Sequence, residues 1–159
     1  GLTNRLLERR VIAMMTKLNN AGPELAEKGL LKAAVDVTGF GFLGHLGAMC
    51  RASHVGAEIV AGRVPAISGE VFDLIVAGCI PAGSRDNLAY ANPFTEWDGV
   101  TEVQKTLLTD AQTSGGLLLS VPQKNLNKVL KLLKRFDTPC AAIIGRIVRS
   151  AKPKIKVSR

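Results

Sequence analysis

The stretch Ala33-Ala34-Val35-Asp36-Val37-Thr38-Gly39-Phe40-Gly41-Phe42-Leu43-Gly44-His45-Leu46-Gly47 decides how the chain is read. Its first part belongs to a short apolar segment, 32–37, bounded by turn residues, which predicts a buried strand. Thr38 and the glycines mark a turn, and 42–54 continues with helical character despite two interior glycines. A strand feeding a helix through a tight turn is a building unit of layered α/β structure.

Upstream, Leu7, Val11, Met14, Met15 and Leu18 share one face over 4–19, which predicts an amphipathic helix. Asn20 and Gly22 end it, and Pro23 opens a short helix over 23–29. Downstream, 57–62 reads as a strand and 68–78 as a helix. Residues 80–100 hold Pro81, Gly83, Pro93 and Gly99 among scattered aromatics, Tyr90, Phe94 and Trp97, and read as loop. A short helix is expected at 100–108 and a buried strand at 117–121. Helix 123–136 would bury Leu126, Val129, Leu130 and Leu133. A strand over 140–148 follows, and 150–159 reads as a basic tail or an edge strand. The expected fold class is α+β, an α/β sandwich with an about four-stranded mixed sheet covered by helices, in one domain over 1–159.

The 159 residues are 47% hydrophobic and 21% charged, enough to build a core and too apolar for disorder. No apolar run approaches the ~18 residues of a membrane-spanning helix. The chain starts at Gly1 and is read as a piece of a longer or processed protein. Cys50, Cys79 and Cys140 form no C-x-x-C pair, so neither a disulfide framework nor a zinc site is signalled. That usage suits a reducing cytosol, and a cytoplasmic location is expected.

The net charge of +8 is lopsided. Residues 124–159 carry eleven Lys and Arg against one acid, Asp137. On 123–136, however, Lys124, Lys128, Lys131 and Arg135 lie opposite the leucines, as on any solvated helix face. Phe136 is the only aromatic after Trp97, so a base-stacking platform is missing. Specific nucleic-acid binding is not expected, and a basic RNA- or partner-binding module stands as the non-enzyme alternative.

Gly39-Phe40-Gly41-Phe42-Leu43-Gly44 satisfies G-x-G-x-x-G, with Glu58 placed where a ribose-binding acid would stand. Asp36 argues against a dinucleotide. A carboxylate aimed at a phosphate cradle repels the phosphate by about 4 kcal/mol at contact and intermediate dielectric. A divalent cation between them reverses the sign, since Mg²⁺ is commonly held by one or two carboxylates and substrate phosphates. The N–H groups that open helix 42–54 could then meet the anion's remaining oxygens. Equally, Asp36 and Thr38 could simply cap that helix. A second polar turn, Asp110-Ala-Gln-Thr-Ser-Gly-Gly116, sets two glycines beside Thr113 and Ser114, either as an anion-binding nest or as an ordinary connection. His45, with no acid or cysteine beside it in sequence, reads as packing or surface.

Four segments in order are more specific than either turn: Asp36 to Leu46, Pro81 to Asn87 (PAGSRDN), Asp110 to Leu119, and Ile144 to Val148. This order resembles that of selenophosphate synthetase (selenide, water dikinase) over residues 5–150, covering the C-terminal half of that family's protein. More distantly it is similar to the aminoimidazole ribonucleotide synthetase superfamily. The resemblance implies a fold like that superfamily's C-terminal domain, and an ATP-dependent enzyme that makes selenophosphate from selenide, releasing AMP and phosphate. It implies Mg²⁺ and ATP as cofactors, with Asp36 as a metal ligand. Thr38, Gly39, Gly41, Asp110, Thr113, Ser114, Gly115 and Gly116 fall on the nucleotide-binding turns. The catalytic Cys or selenocysteine belongs to the other half, so no catalytic residue is expected here and the chain alone is expected to be inactive. A homodimer of the full-length enzyme and a selenium-delivery protein are the implied partners. Another ATP-dependent enzyme of the same superfamily is the enzyme alternative. The sequence departs from the pattern at Ala111, where the family usually has Pro, and at Ala82, where Gly is common.

Overall fold

A computed structural model describes residues 4–159, which form seven α-helices and six strands. Asn4 caps α1 (Arg5–Thr16), its side chain accepting from the Leu7 N–H at 2.8 Å. The helix stops short of the expected end, and Leu18 beyond it is 74% exposed. In α2 (Ala21–Glu27) Pro23 lies inside the first turn, where its missing N–H costs nothing. Next come β1 (Ala33–Asp36), α3 (Gly41–Ser53), β2 (Val55–Val60) and α4 (Glu70–Val76).

The stretch read as loop holds α5 (Ala82–Ala91), a 3₁₀ turn (Asn92–Phe94) and β3 (Thr95–Asp98). Pro81 and Pro93 sit at the starts of these two helical segments, positions where proline is tolerated. A reciprocal Thr101–Gln104 capping box opens α6 (Glu102–Leu108). β4 (Leu117–Ser120), α7 (Leu126–Arg135), β5 (Gly145–Arg149) and β6 (Ile155–Ser158) complete the chain.

The strands divide into two sheets. β1 and β4 form an antiparallel ribbon in which Asp36 lies opposite Leu117. The other four make a mixed sheet in the order β3-β6-β2-β5. The segment expected to be a tail or edge strand is therefore corrected: β6 lies between β3 and β2, parallel to both. Ile155 and Val157 are fully buried while Lys156 points to the opposite, open face. Truncating Ile155 to Ala is expected to cost about 2–5 kcal/mol of stability, read from urea midpoints. A change under ~1 kcal/mol would mean that this strand is not part of the core.

Two apolar clusters flank the ribbon. Val37, Phe42, Leu43, Leu46, Ala57, Ile59, Leu118, Ile155 and Val157 join α3 to the four-stranded sheet. Leu25, Leu30, Val129, Leu132 and Leu133 join α2 to α7, with Leu119 of the ribbon packed against them. Leu118 and Leu119 thus face opposite cores, as successive strand residues must. The ribbon is wedged between them, and its free end carries the two polar turns.

Candidate functional site

β1 runs into the 37–40 turn at the same end of the ribbon where the 109–116 turn enters β4. Antiparallel pairing alone brings the two glycine-rich segments together, although they are far apart in sequence. Main-chain hydrogen bonds then lock them. The Val37 N–H donates to the Gly116 carbonyl (2.9 Å), Gly115 N–H to Val37 carbonyl (3.0 Å) and Gln112 N–H to Thr38 carbonyl (3.2 Å).

A third segment completes the arrangement. From α5, the Asn87 side-chain amide donates to the Gly39 carbonyl (2.8 Å) and the Thr109 carbonyl (3.1 Å), one from each turn. On the same helix, buried Ser84 donates its hydroxyl to Asp110 Oδ1 at 3.0 Å. Its oxygen accepts from the Ala111 N–H at 3.0 Å. The departure at Ala111 therefore adds a donor that proline could not offer. The departure at Ala82 introduces no positive φ and falls at the first residue of α5. Asn87 and Ser84 do not stand out individually in the sequence because their segment reads as loop. The PAGSRDN pattern was the signal that they belong with the turns.

The glycines differ in role. Gly41 has a φ of 68°, and a Cβ there would lie 2.8 Å from the Thr109 carbonyl carbon and oxygen. Its N–H donates to the Thr38 carbonyl at 3.0 Å. Gly41 and Gly115, expected on the nucleotide-binding turns, thus have their N–H groups committed to the scaffold. The opening of α3, expected to offer N–H groups to an anion, is also corrected, because Gly41, Phe42, Leu43 and Gly44 are all buried. Gly39 and Gly116 are exposed, as are Thr113 and Ser114. The N–H groups of Thr113 and Ser114 have no partner among the described residues, and Ser114 sits in the left-handed region at φ 50°. Two adjacent unpartnered N–H groups on exposed residues at such a bend are suited to an anion.

Asp36 ends β1 with an exposed side chain that forms no ion pair or hydrogen bond among the described residues. Its free carboxylate suits a hard cation. Among the described residues no three His, Cys, Asp or Glu side chains gather closely enough to hold a metal by themselves. Asp36 can therefore supply one carboxylate ligand, with the rest of the shell coming from neutral oxygens of the rim, a bound phosphate, water or another polypeptide segment. The turns form a rim whose Gly39, Thr113, Ser114 and Gly116 are exposed. A cavity of ~490 Å³ lies on the open face of the four-stranded sheet, lined by Glu58, Arg63, Asp98, Arg146 and Lys156. Glu58 there is ion-paired to Arg146 at 2.6 Å, and no residue of the 37–41 turn lines this cavity with it, against the dinucleotide reading.

Burial pushes the Asp110 carboxyl above the ordinary carboxylate range, and the Ser84 hydrogen bond partly opposes that rise. The folded chain therefore holds this proton to higher pH than the unfolded chain does. The stabilisation is complete below the unfolded-chain value and is lost as pH rises through the folded one. Asp110→Asn, which cannot ionise yet still accepts from Ser84, should gain stability relative to the parent as pH climbs above about 4. Urea midpoints in a pH series read this, and a pH-independent difference would contradict it.

Burial likewise raises the Cys50 thiol, with Arg51 opposing. Cys79 and Cys140 are exposed free thiols. No helix among the described residues is long and apolar enough to cross a membrane. Within the basic C-terminal quarter, Arg135 pairs with Glu24, Arg146 with Glu58, and Lys156 with Asp98. The positive charge is thus split between α7 and the open sheet face.

The chain is 39% identical over 160 residues to a selenide, water dikinase of Myxococcus xanthus (strain DK1622), covering 99% of this chain and 45% of that protein. A second selenide, water dikinase, from Sulfurovum sp. (strain NBC37-1), is 42% identical over 122 residues, or 76% of this chain and 34% of the relative. The chain therefore spans under half the length of these curated relatives. A crystal structure of thiamine-monophosphate kinase from Stenotrophomonas maltophilia K279a shares the fold, with a TM-score of 0.54 at 21% identity. It covers 82% of this chain and 33% of its own. Residues 4–158 match the family described as AIR synthase related protein, C-terminal domain, and the chain belongs to that family.

Proposed function

We propose that the chain is the C-terminal half of a two-domain, ATP-dependent enzyme that forms selenophosphate from selenide and ATP, releasing AMP and phosphate. The observation that carries this is the meeting of three motif segments at one end of the β1–β4 ribbon, joined through Asn87. The relatives named selenide, water dikinase supply the chemistry. Phosphoryl transfer is promoted chiefly by positioning and charge stabilisation, so a domain can contribute without a nucleophile of its own.

In this reading Asp36 is one ligand of Mg²⁺ bound with ATP, and the exposed Thr113 and Ser114 N–H groups meet phosphate oxygens. Gly39 and Gly116 leave the rim uncrowded, since a Cβ at either would meet nothing within 4 Å. Thr38 and Asp110 hold the two turns in shape. Bound Mg²⁺ would supply neutralisation of the triphosphate charge. Asn87 keeps the rim rigid, so that little reorganisation is required when the nucleotide arrives.

The test is phosphorus NMR of the full-length protein, meaning this chain joined to the half that its relatives carry besides it, incubated with Mg²⁺, ATP and selenide. Selenophosphate, AMP and phosphate are the expected products, and none is expected from the 159-residue chain alone. ATP consumption indifferent to selenide would favour another acceptor within the same superfamily.

A further inference from the structure

One turn into α3, His45 reaches back to the segment that carries Asp36. Its Nε2 lies 3.1 Å from the Thr38 main-chain nitrogen and 3.1 Å from the Thr38 hydroxyl oxygen. A main-chain N–H can only donate, so Nε2 must be the acceptor and the ring proton of the neutral imidazole sits on Nδ1. With Nε2 accepting, the Thr38 hydroxyl can bond to it only by donating as well, the two protons sharing its single in-plane lone pair as a three-centre contact. The hydroxyl proton is then drawn toward the ring, and the oxygen lone pairs are left facing away from it. The Phe40 ring meets the imidazole in a T-shaped contact, with centroids 5.9 Å apart.

We propose that His45 is a positioning residue: it pins Thr38 by both donors so that Asp36-Val37-Thr38 presents only acceptor oxygens to a bound ligand. A carboxylate and a hydroxyl oxygen stripped of its free proton favour a hydrated divalent cation and disfavour a phosphate oxygen. The turn opposite offers the reverse, the free N–H groups of Thr113 and Ser114. The rim is thereby divided into a cation-facing strand end and an anion-facing turn. This rests on the Mg-nucleotide reading above, and it assigns Thr38 to the cation side of that complex.

Two measurements test it. Long-range proton–nitrogen spectra of the 159-residue chain, which contains only His45 and His54, should show the His45 proton on Nδ1. In the full-length protein with ATP, Mn²⁺ affinity read by electron paramagnetic resonance should fall on the order of tenfold in His45→Ala, as expected when the partner of a ligand-bearing segment is lost. His45→Gln, whose side-chain oxygen can accept from both Thr38 donors, should recover most of it, and the KM for ATP at saturating metal should stay unchanged in both variants. A proton on Nε2, unchanged Mn²⁺ affinity in His45→Ala, or equal losses in the two variants would each overturn the proposal. Should the parent protein make no selenophosphate while His45→Ala still weakens Mn²⁺ binding, the proposed reaction falls and the positioning role stands.

Discussion

Asp36→Asn in the full-length protein is expected to lower Mg²⁺-dependent ATP cleavage by about two to three orders of magnitude while leaving the fold intact. The side chain is exposed at the end of β1 and forms no hydrogen bond or ion pair among the described residues, so its loss removes no internal contact. Surface changes of that kind shift stability by about 0.5 kcal/mol at most. The functional penalty is of another size. At contact distance and intermediate dielectric one unit charge is worth about 4 kcal/mol, and removal of a single preorganised electrostatic group in an active site typically costs ~10²–10³ in rate. Asparagine keeps the shape and one oxygen, so the loss reports the charge and the second acceptor oxygen rather than volume. Raised Mg²⁺ should restore part of the activity, because the variant weakens the cation's hold without deforming the rim. Steady-state cleavage at several Mg²⁺ concentrations, paired with a urea melt, separates the two effects. Full activity at limiting Mg²⁺ would remove Asp36 from the metal shell and with it the proposed role of this chain.

Much of the architecture was legible where apolar periodicity and turn residues agree. β1, α3, β4 and α7 lie within a few residues of their expected bounds because each is one apolar stripe or run with a polar boundary. α5 and β3 are hidden in the sequence because their prolines read as interruptions. Pro81 and Pro93 instead mark the starts of helical segments, where no N–H is needed. β6 was obscured by charge. Lys152, Lys154 and Lys156 make the segment look solvated, yet Ile155 and Val157 alternate with Lys156 as in any sheet with one buried face. That this strand sits between β3 and β2 depends on non-local pairing, which no local pattern encodes. The same limit applies at the rim. Asp36, Thr38 and the glycines stand out in the sequence, but Asn87 bridging two carbonyls, and His45 meeting Thr38, exist only once three separate segments are folded together.

Gly115 shows the consequence most sharply, and Gly115→Ala is expected to be the most destabilising small substitution on the rim. A Cβ there would penetrate the Val37 carbonyl oxygen and lie 2.6 Å from Gln112 Oε1. The glutamine side chain can swing aside, but the carbonyl cannot, because it accepts the Gly115 N–H at 3.0 Å. Relieving the overlap means separating the two turns, which also strains Val37 N–H to Gly116 carbonyl and Gln112 N–H to Thr38 carbonyl. Two or three hydrogen bonds at about 1 kcal/mol each, with about 1–3 kcal/mol of overpacking, give a loss of roughly 3–6 kcal/mol. That is a large share of the ~5–15 kcal/mol that holds a typical domain together. Gly116→Ala is the matched control, one residue on, where a Cβ meets nothing within 4 Å and φ is not positive. It should cost no more than about 1 kcal/mol, the change being confined to local backbone entropy. Urea midpoints at constant m-value compare the pair directly. Equal stabilities would mean that the two turns do not approach as closely as these contacts require, and the rim on which Asp36, Thr113 and Ser114 depend would lose its rigidity.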